Sequence, residues 1–98
     1  MIVFDTASGK PVSNISISGD TDDLFYDPAA KRVYVSSGDG SIDVIDQRDA
    51  DHYQKQGRIP TVAGARTSAF SVALNVFCLG VPRRGSEPAE IRVFQTQR

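Results

Sequence analysis

A short apolar motif occurs three times in this chain of 98 residues, and it limits the possible folds more than any other feature. The three copies are Val3-Phe4-Asp5, Val44-Ile45-Asp46 and Val93-Phe94-Gln95, spaced 41 and 49 residues apart. A period of about 40 to 50 residues is typical of repeat architectures, in which each repeat is one supersecondary unit that buries its apolar surface against its neighbours. The repeat therefore predicts a fold built from stacked, similar units.

The segments between the copies also correspond. Val33-Tyr34-Val35 corresponds to Phe77-Cys78-Leu79, and Leu24-Phe25 corresponds to Ala69-Phe70. The extra length of the second unit lies in two polar stretches, residues 48–55 and 83–89. Insertions are tolerated best in surface loops, so these stretches are predicted to be loops.

The secondary structure is predicted to be all-β. No segment keeps the apolar spacing of an amphipathic helix over three turns, and glycine, proline, Asn and Asp interrupt the chain about every ten residues. The predicted strands are Ile2–Asp5, Val12–Ser18, Leu24–Tyr26, Arg32–Ser36, Ser41–Asp46, Gln56–Val62, Ser68–Val72, Val76–Val81 and Glu90–Gln95. In the strand Ser41–Asp46, Asp43 is predicted to point outward.

Four short strands per repeat of this length indicate a β-propeller blade. Val33-Tyr34-Val35 is apolar on both faces of its strand, as expected for a sheet covered on both sides. We therefore predict one all-β unit over residues 1–98 with two four-stranded antiparallel blades, at 10–46 and 47–98. Residues 1–9 are predicted to be one leftover strand, the outermost of a preceding blade.

The first unit resembles the YVTN family of β-propeller repeats. The matching positions are Gly19, Leu24-Phe25, Asp27-Pro28, Val33-Tyr34-Val35, Gly38 to Gly40 and Ile42 to Asp46. The second unit departs from the pattern, because Ser71-Val72-Ala73 replaces the residue–proline turn. The resemblance implies a binding or interaction module or, less commonly, an enzyme subunit. It also implies a periplasmic or secreted parent, although Met1 to Lys10 shows no signal peptide.

Two blades cannot close a propeller. Exposing about 400 Å² of apolar blade face would forfeit roughly 10 kcal/mol, which is comparable to the stability of a whole domain. Three arrangements would cover these faces. We favour a homo-oligomeric ring, with three copies giving six blades or four giving eight, in which the leftover strand completes a blade of the adjacent copy. The others are a fragment of a larger propeller and a sandwich-like packing of the same strands.

Composition argues against several other classes. The chain has 11 basic and 12 acidic residues and a net charge of −1, without the basic face that nucleic-acid binding requires. No run approaches the roughly 20 apolar residues that span a membrane. Cys78 is the single cysteine, so it forms no intrachain disulfide, and its apolar neighbours predict a buried position.

The candidate binding residues lie in two loops. Asp20, Asp22 and Asp23 form the densest acidic cluster, and Arg66 and Thr67 occupy the corresponding loop of the second unit. The cluster lacks the calcium-binding register of an EF-hand, so it is interpreted as a polar loop and no metal is expected. Arg66 is predicted to pair with Asp20 or Asp22 across two blades.

Nothing in the sequence indicates chemistry within one chain. His52 is the only histidine and lies in a polar insertion, which argues against a zinc site, and no Gly-x-Ser-x-Gly motif is present. We therefore predict a non-enzymatic binding scaffold without cofactor, whose partners are itself, the rest of a larger propeller or other proteins. The alternative is an enzyme whose active site forms only in the assembled ring or with another subunit.

Overall fold

The computed structural model describes residues 1–96, while Gln97 and Arg98, which end the predicted 47–98 blade, lie outside the described residues. This part of the chain forms nine strands and no helix. The strands are Ile2–Phe4 (β1), Pro11–Asn14 (β2), Thr21–Asp27 (β3), Arg32–Ser37 (β4), Ser41–Gln47 (β5), Tyr53–Pro60 (β6), Ser68–Ser71 (β7), Val76–Val81 (β8) and Glu90–Gln95 (β9).

The strands form three antiparallel sheets with the orders β1-β2, β3-β4-β5-β6 and β7-β8-β9. We call them the N-terminal hairpin, the central sheet and the third sheet. The all-β antiparallel prediction is confirmed. The predicted grouping of one, four and four strands is wrong, because β2 pairs with β1 rather than β3, and β6 pairs with β5 rather than β7.

The connections explain this grouping. Residues 48–52 form a short turn with a hydrogen bond from Arg48 N to His52 O, so β5 and β6 make a hairpin. Segments 15–20 and 61–67 instead carry the chain from one sheet to the next. As a result β5 is the third strand of its sheet. The equivalent strand β1 was predicted to be outermost, and this prediction is wrong, because β2 pairs with β1 as β6 pairs with β5.

The two middle strands of the central sheet, β4 and β5, are buried on both faces, as the apolar pattern of Val33-Tyr34-Val35 predicted. Tyr34, Ile42 and Val44 on one face pack against Phe77 and Leu79 of the third sheet. On the other face, a separate cluster forms. Its buried members are Val33, Val35 and Ile45, and the partly buried residues packed against them are Met1, Ile15, Ile17 and Tyr53.

The β3–β4 and β7–β8 turns have the same geometry, although the second turn lacks the residue–proline sequence of the first. In the β3–β4 turn, the Asp27 carboxylate accepts a hydrogen bond from Ala29 N at 3.1 Å. In the β7–β8 turn, Ser71 Oγ accepts one from Leu74 N at 3.2 Å. Each turn ends on a residue with left-handed backbone: Lys31, φ 53°, and Asn75, φ 55°. Ser71 and Val72 thus replace Asp27 and Pro28 without changing these features of the turn.

The predicted alignment of the two units needs one correction. Phe25 pairs with Tyr34, whereas Ala69 pairs with Cys78, so Phe25 corresponds to Ala69 and not to Phe70. A shift of one residue exchanges the faces of a strand. Phe70 therefore points at the central sheet, where its ring centroid lies 5.3 Å from that of Tyr34.

Replacing Gly40 with alanine should lower the free energy of unfolding by about 2 to 3 kcal/mol. Gly40 has φ +102°, and an added Cβ would lie 2.9 Å from the backbone nitrogen of Ala63. Gly19→Ala is the matched control, because a Cβ there meets no atom within 4 Å. Urea denaturation followed by circular dichroism compares the two variants, and equal losses would contradict the close backbone approach at Gly40.

Candidate functional site

The two candidate loops meet at one end of the sheets. Arg66 Nη2 in the segment between β6 and β7 lies 2.8 Å from Asp20 Oδ2 in the segment between β2 and β3. The predicted pairing of Arg66 with Asp20 is therefore confirmed. Both side chains are about half exposed, with 49% and 57% of their surface accessible. An exposed pair of this kind contributes about 0 to 1 kcal/mol, so it orients the loops more than it stabilises them.

The turn between β4 and β5 lies beneath this ion pair. Gly38 N donates a hydrogen bond to Asp20 O at 2.7 Å, and a Cβ on Gly38 would collide with the side chains of Asp20 and Arg66. Asp20 has φ 61°, a left-handed conformation that aspartate tolerates better than most residues. The absence of a side chain at Gly38 thus lets the Asp20–Arg66 pair lie directly over the turn.

Asp23 belongs to a polar network between the central and third sheets. Its Oδ2 accepts hydrogen bonds from Ser68 N at 3.0 Å and from Ser68 Oγ at 3.3 Å. Ser36 Oγ lies 2.7 Å from Ser68 Oγ and 3.0 Å from the carbonyl oxygen of Arg66. Asp23 therefore joins two sheets and is not free to bind a ligand through this oxygen. Sequence reasoning missed both serines, although Ser36 follows directly after the apolar strand residues Val33 to Val35.

The remaining two candidates are exposed and make different contacts. Asp22 lies at a β-bulge, where the β3–β4 register shifts between Thr21 and Asp23. Thr67 contributes its carbonyl oxygen, which accepts a hydrogen bond from Gly80 N at 2.8 Å. Across residues 1–96, no three His, Cys, Asp or Glu side chains are grouped as metal ligands would be.

A buried carboxylate lies behind the loops and was assigned wrongly from sequence. Asp43 was predicted to point outward, but it is fully buried because segment 15–20 covers its face. Ser18 N donates to Asp43 Oδ2 at 2.7 Å, and Lys55 Nζ lies 3.1 Å from Oδ1. Burial acts to raise the pKa of Asp43, but these two contacts outweigh it and lower the pKa below its ordinary value of 3.8.

His52 lies in the β5–β6 turn, as its polar surroundings predicted. Its Nδ1 is 2.7 Å from Asp49 Oδ1, and both side chains are exposed. The hydrogen bond to Asp49 and the charge of that carboxylate raise the pKa of His52. The pair stabilises the turn locally and lies away from the Asp20 and Arg66 loops in sequence.

The third sheet has an open apolar face. Ile42 and Val44 of β5 are 1% and 8% exposed, because the third sheet covers them. Their equivalents on β9, Ile91 and Val93, are 73% and 63% exposed. Val93 pairs with Cys78, which is half-buried on this face rather than buried as predicted. Residues that are core in one repeat are thus solvent-exposed in the next.

The N-terminal hairpin has the complementary open face. Ile45 is fully buried in the central sheet, whereas its equivalent Phe4 is 57% exposed. Leu24 and Tyr26 on β3 are also exposed, at 51% and 43%, because the hairpin covers only part of that side of the central sheet. The described chain therefore presents apolar surface at both ends of its stack of sheets.

A cleft of about 300 Å³ opens between the central and third sheets. On one side it is lined by Ile42, Val44 and Ile59 of the central sheet, and on the other by Phe77 and Phe94. The central sheet has four strands and the third sheet has three. The cleft lies beside β9, whose Phe94 and Gln95 line it opposite Gly57 and Ile59 of β6.

Comparison with protein-family models, with curated proteins and with solved structures gives no match to this chain. Within residues 1–96 no helix is long and apolar enough to cross a membrane.

Proposed function

We propose that the protein is a non-enzymatic binding scaffold made of YVTN-type β-propeller repeats, and that copies of it assemble into a closed ring. The observation that carries the proposal is the exposure of Ile91 and Val93, whose equivalents Ile42 and Val44 are buried under a neighbouring sheet. An end-to-end contact between copies would give the exposed pair the same cover.

The energetic gain is large for so small a chain. Burying one Val or Ile side chain contributes about 1.5 to 3 kcal/mol, so Ile91 and Val93 alone would contribute roughly 3 to 6 kcal/mol per contact. The two open faces are different surfaces at opposite ends of the molecule, so the contact is heterologous. Heterologous contacts close into rings when the rotation between copies fits.

The binding surface in this proposal is the loop end of the assembled sheets. The loops that carry Asp20, Asp22, Arg66 and Thr67 are exposed and recur with each repeat. Loops held by a rigid sheet scaffold are where binding residues concentrate. Proteins that present complementary polar groups are the proposed partners, and Asp23 and Ser68 would hold the loop bases in position.

Light scattering after size exclusion tests the assembly. We expect a mass of three or four times 10.6 kDa for the native chain. The variants Ile91→Glu and Val93→Glu should each give a single-chain mass, because a charge on the open face opposes its burial. Leu74→Glu is the matched control: Leu74 is 71% exposed but lies in the β7–β8 turn, so the mass should not change.

Two results would contradict the proposal. One is a native chain that stays at 10.6 kDa at every concentration tested. The other is a multiple mass that Leu74→Glu disrupts and Ile91→Glu does not. Circular dichroism of each variant shows that a change in mass reflects assembly and not unfolding.

A further inference from the structure

Strands β1, β5 and β9 are equivalent, but among residues 1–96 only β5 has a paired strand on each side. β5 lies between β4 and β6, whereas in this part of the chain β1 pairs with β2 alone and β9 pairs with β8 alone. β1 therefore has an outer partner and no inner one, whereas β9 has an inner partner and no outer one. The two incomplete strands lack opposite neighbours.

The pairing of β1 with β2 is short and irregular. It comprises three residue pairs, with a register shift between Val3 and Phe4. β1 has three residues and β9 has six. Ile2 and Phe4 are more than half exposed, so β1 is held by little apolar burial of its own. A longer equivalent strand would offer β2 a longer partner.

We propose that β9 of one copy replaces β1 as the partner of β2 in the next copy. This inference rests on the proposed self-assembly and specifies how it occurs. The third sheet then gains β2 of the partner copy as its fourth strand, in the cleft beside β9. β1 is the strand that is displaced.

The exchange completes every sheet. Each copy contributes the eight strands β2 to β9, which form two four-stranded sheets, one within the copy and one shared between copies. Docking an intact β1-β2 hairpin against β9 would instead give five strands, one more than the four of the central sheet that packs against the third sheet. The cleft therefore fits one added strand and not a hairpin.

The exchange also covers the open faces. Within one chain, segment 15–20 leads from β2 to β3, and the central sheet packs against the side of the hairpin that carries Met1 and Ile15. If β9 occupies the place of β1, the same segment places the central sheet of the next copy in contact with Ile91 and Val93. Leu24 and Tyr26 of that copy then lie over the third sheet and lose their exposure.

Disulfide trapping tests the exchange, in a background where Cys78→Ala removes the free thiol. Val3 and Ser13 are cross-strand partners, and Val93 is the equivalent of Val3. Val93→Cys with Ser13→Cys should give covalent multiples of 10.6 kDa on a non-reducing gel after oxidation at a concentration at which light scattering shows the assembly. The single variant Ser13→Cys is the control and should give no such ladder.

The matched variant Val3→Cys with Ser13→Cys locks β1 onto β2. Oxidised, it should have a single-chain mass by light scattering, and reduction should restore the assembly in the same sample, which also shows that the chain is folded. An assembly that persists with this lock closed, or that shows no crosslink between positions 93 and 13, would overturn the exchange and leave self-assembly intact. A native chain that never assembles would overturn both.

Discussion

Truncation of Phe77 to alanine should lower the free energy of unfolding by about 3 to 5 kcal/mol. Phe77 is 2% exposed and lies at the centre of the contact between the central and third sheets. Its ring centroid is 5.8 Å from those of both Phe25 and Tyr34, with an edge-to-face arrangement toward Phe25. Removing the ring leaves a cavity and loses both aromatic contacts.

Urea denaturation followed by circular dichroism measures this loss, and Phe4→Ala is the matched control. The same substitution at Phe4, which is 57% exposed, should change the free energy of unfolding by less than about 1 kcal/mol. Because small domains have only about 5 to 15 kcal/mol of stability, Phe77→Ala should also lower the thermal midpoint clearly. Similar losses at both positions would mean that the hairpin face is not open.

Replacement of Asp43 with alanine should cost about 2 to 4 kcal/mol at neutral pH, since it leaves the Ser18 N–H without its buried acceptor and Lys55 without its partner. Asp43→Asn should cost less, because an amide oxygen can still accept from Ser18. Asp22→Asn is the control: Asp22 is exposed, and we expect a change within about 0.5 kcal/mol.

Asp43 also predicts a pH dependence. Its pKa is lower in the folded chain than its ordinary value of 3.8, so the ionised form favours folding. This contribution is fully present above the unfolded pKa and is lost as the pH falls through the lower folded pKa. The free energy of unfolding of the native chain should therefore fall below about pH 5, and that of Asp43→Asn should fall less steeply. Parallel pH profiles for the two proteins would contradict the role of Asp43.

The strands and the two-sided burial were predictable from sequence, because both follow from local apolar patterns such as Val33-Tyr34-Val35. The grouping of the strands into sheets was not predictable. Two consecutive strands have similar sequences whether they pair with each other in one hairpin or belong to two different sheets. Connection length does not distinguish them either, because residues 82–89 join β8 to β9 within one sheet and form a longer segment than residues 61–67, which join two sheets. Asp43 was misread for a related reason: alternation shows which face a residue lies on, but not whether another segment covers that face.

The candidate site was predictable in part. The Asp20–Arg66 pair followed from two loops in corresponding positions with opposite charges. The contact of Asp23 with Ser68 and the proximity of Ser36 depend on how two sheets pack, which the repeat does not specify. The open end faces were expected from the repeat count, but the residues that line them were not. Ile42 and Ile91 occupy equivalent positions of the repeat, and only the packing leaves Ile42 1% and Ile91 73% exposed.

The short tether between β1 and β2 has a consequence for how the proposed assembly responds to dilution. Residues 5–10 form a hydrogen-bonded turn, in which Asp5 N donates to Lys10 O at 2.9 Å. They hold β1 beside β2 at an effective concentration of at least the millimolar range that short flexible linkers give. β1 is thus a built-in competitor for the site that β9 of another copy would take. At low concentration it caps β2 and shields that edge from unselective pairing, so the ring would form above a threshold set by the length of this tether.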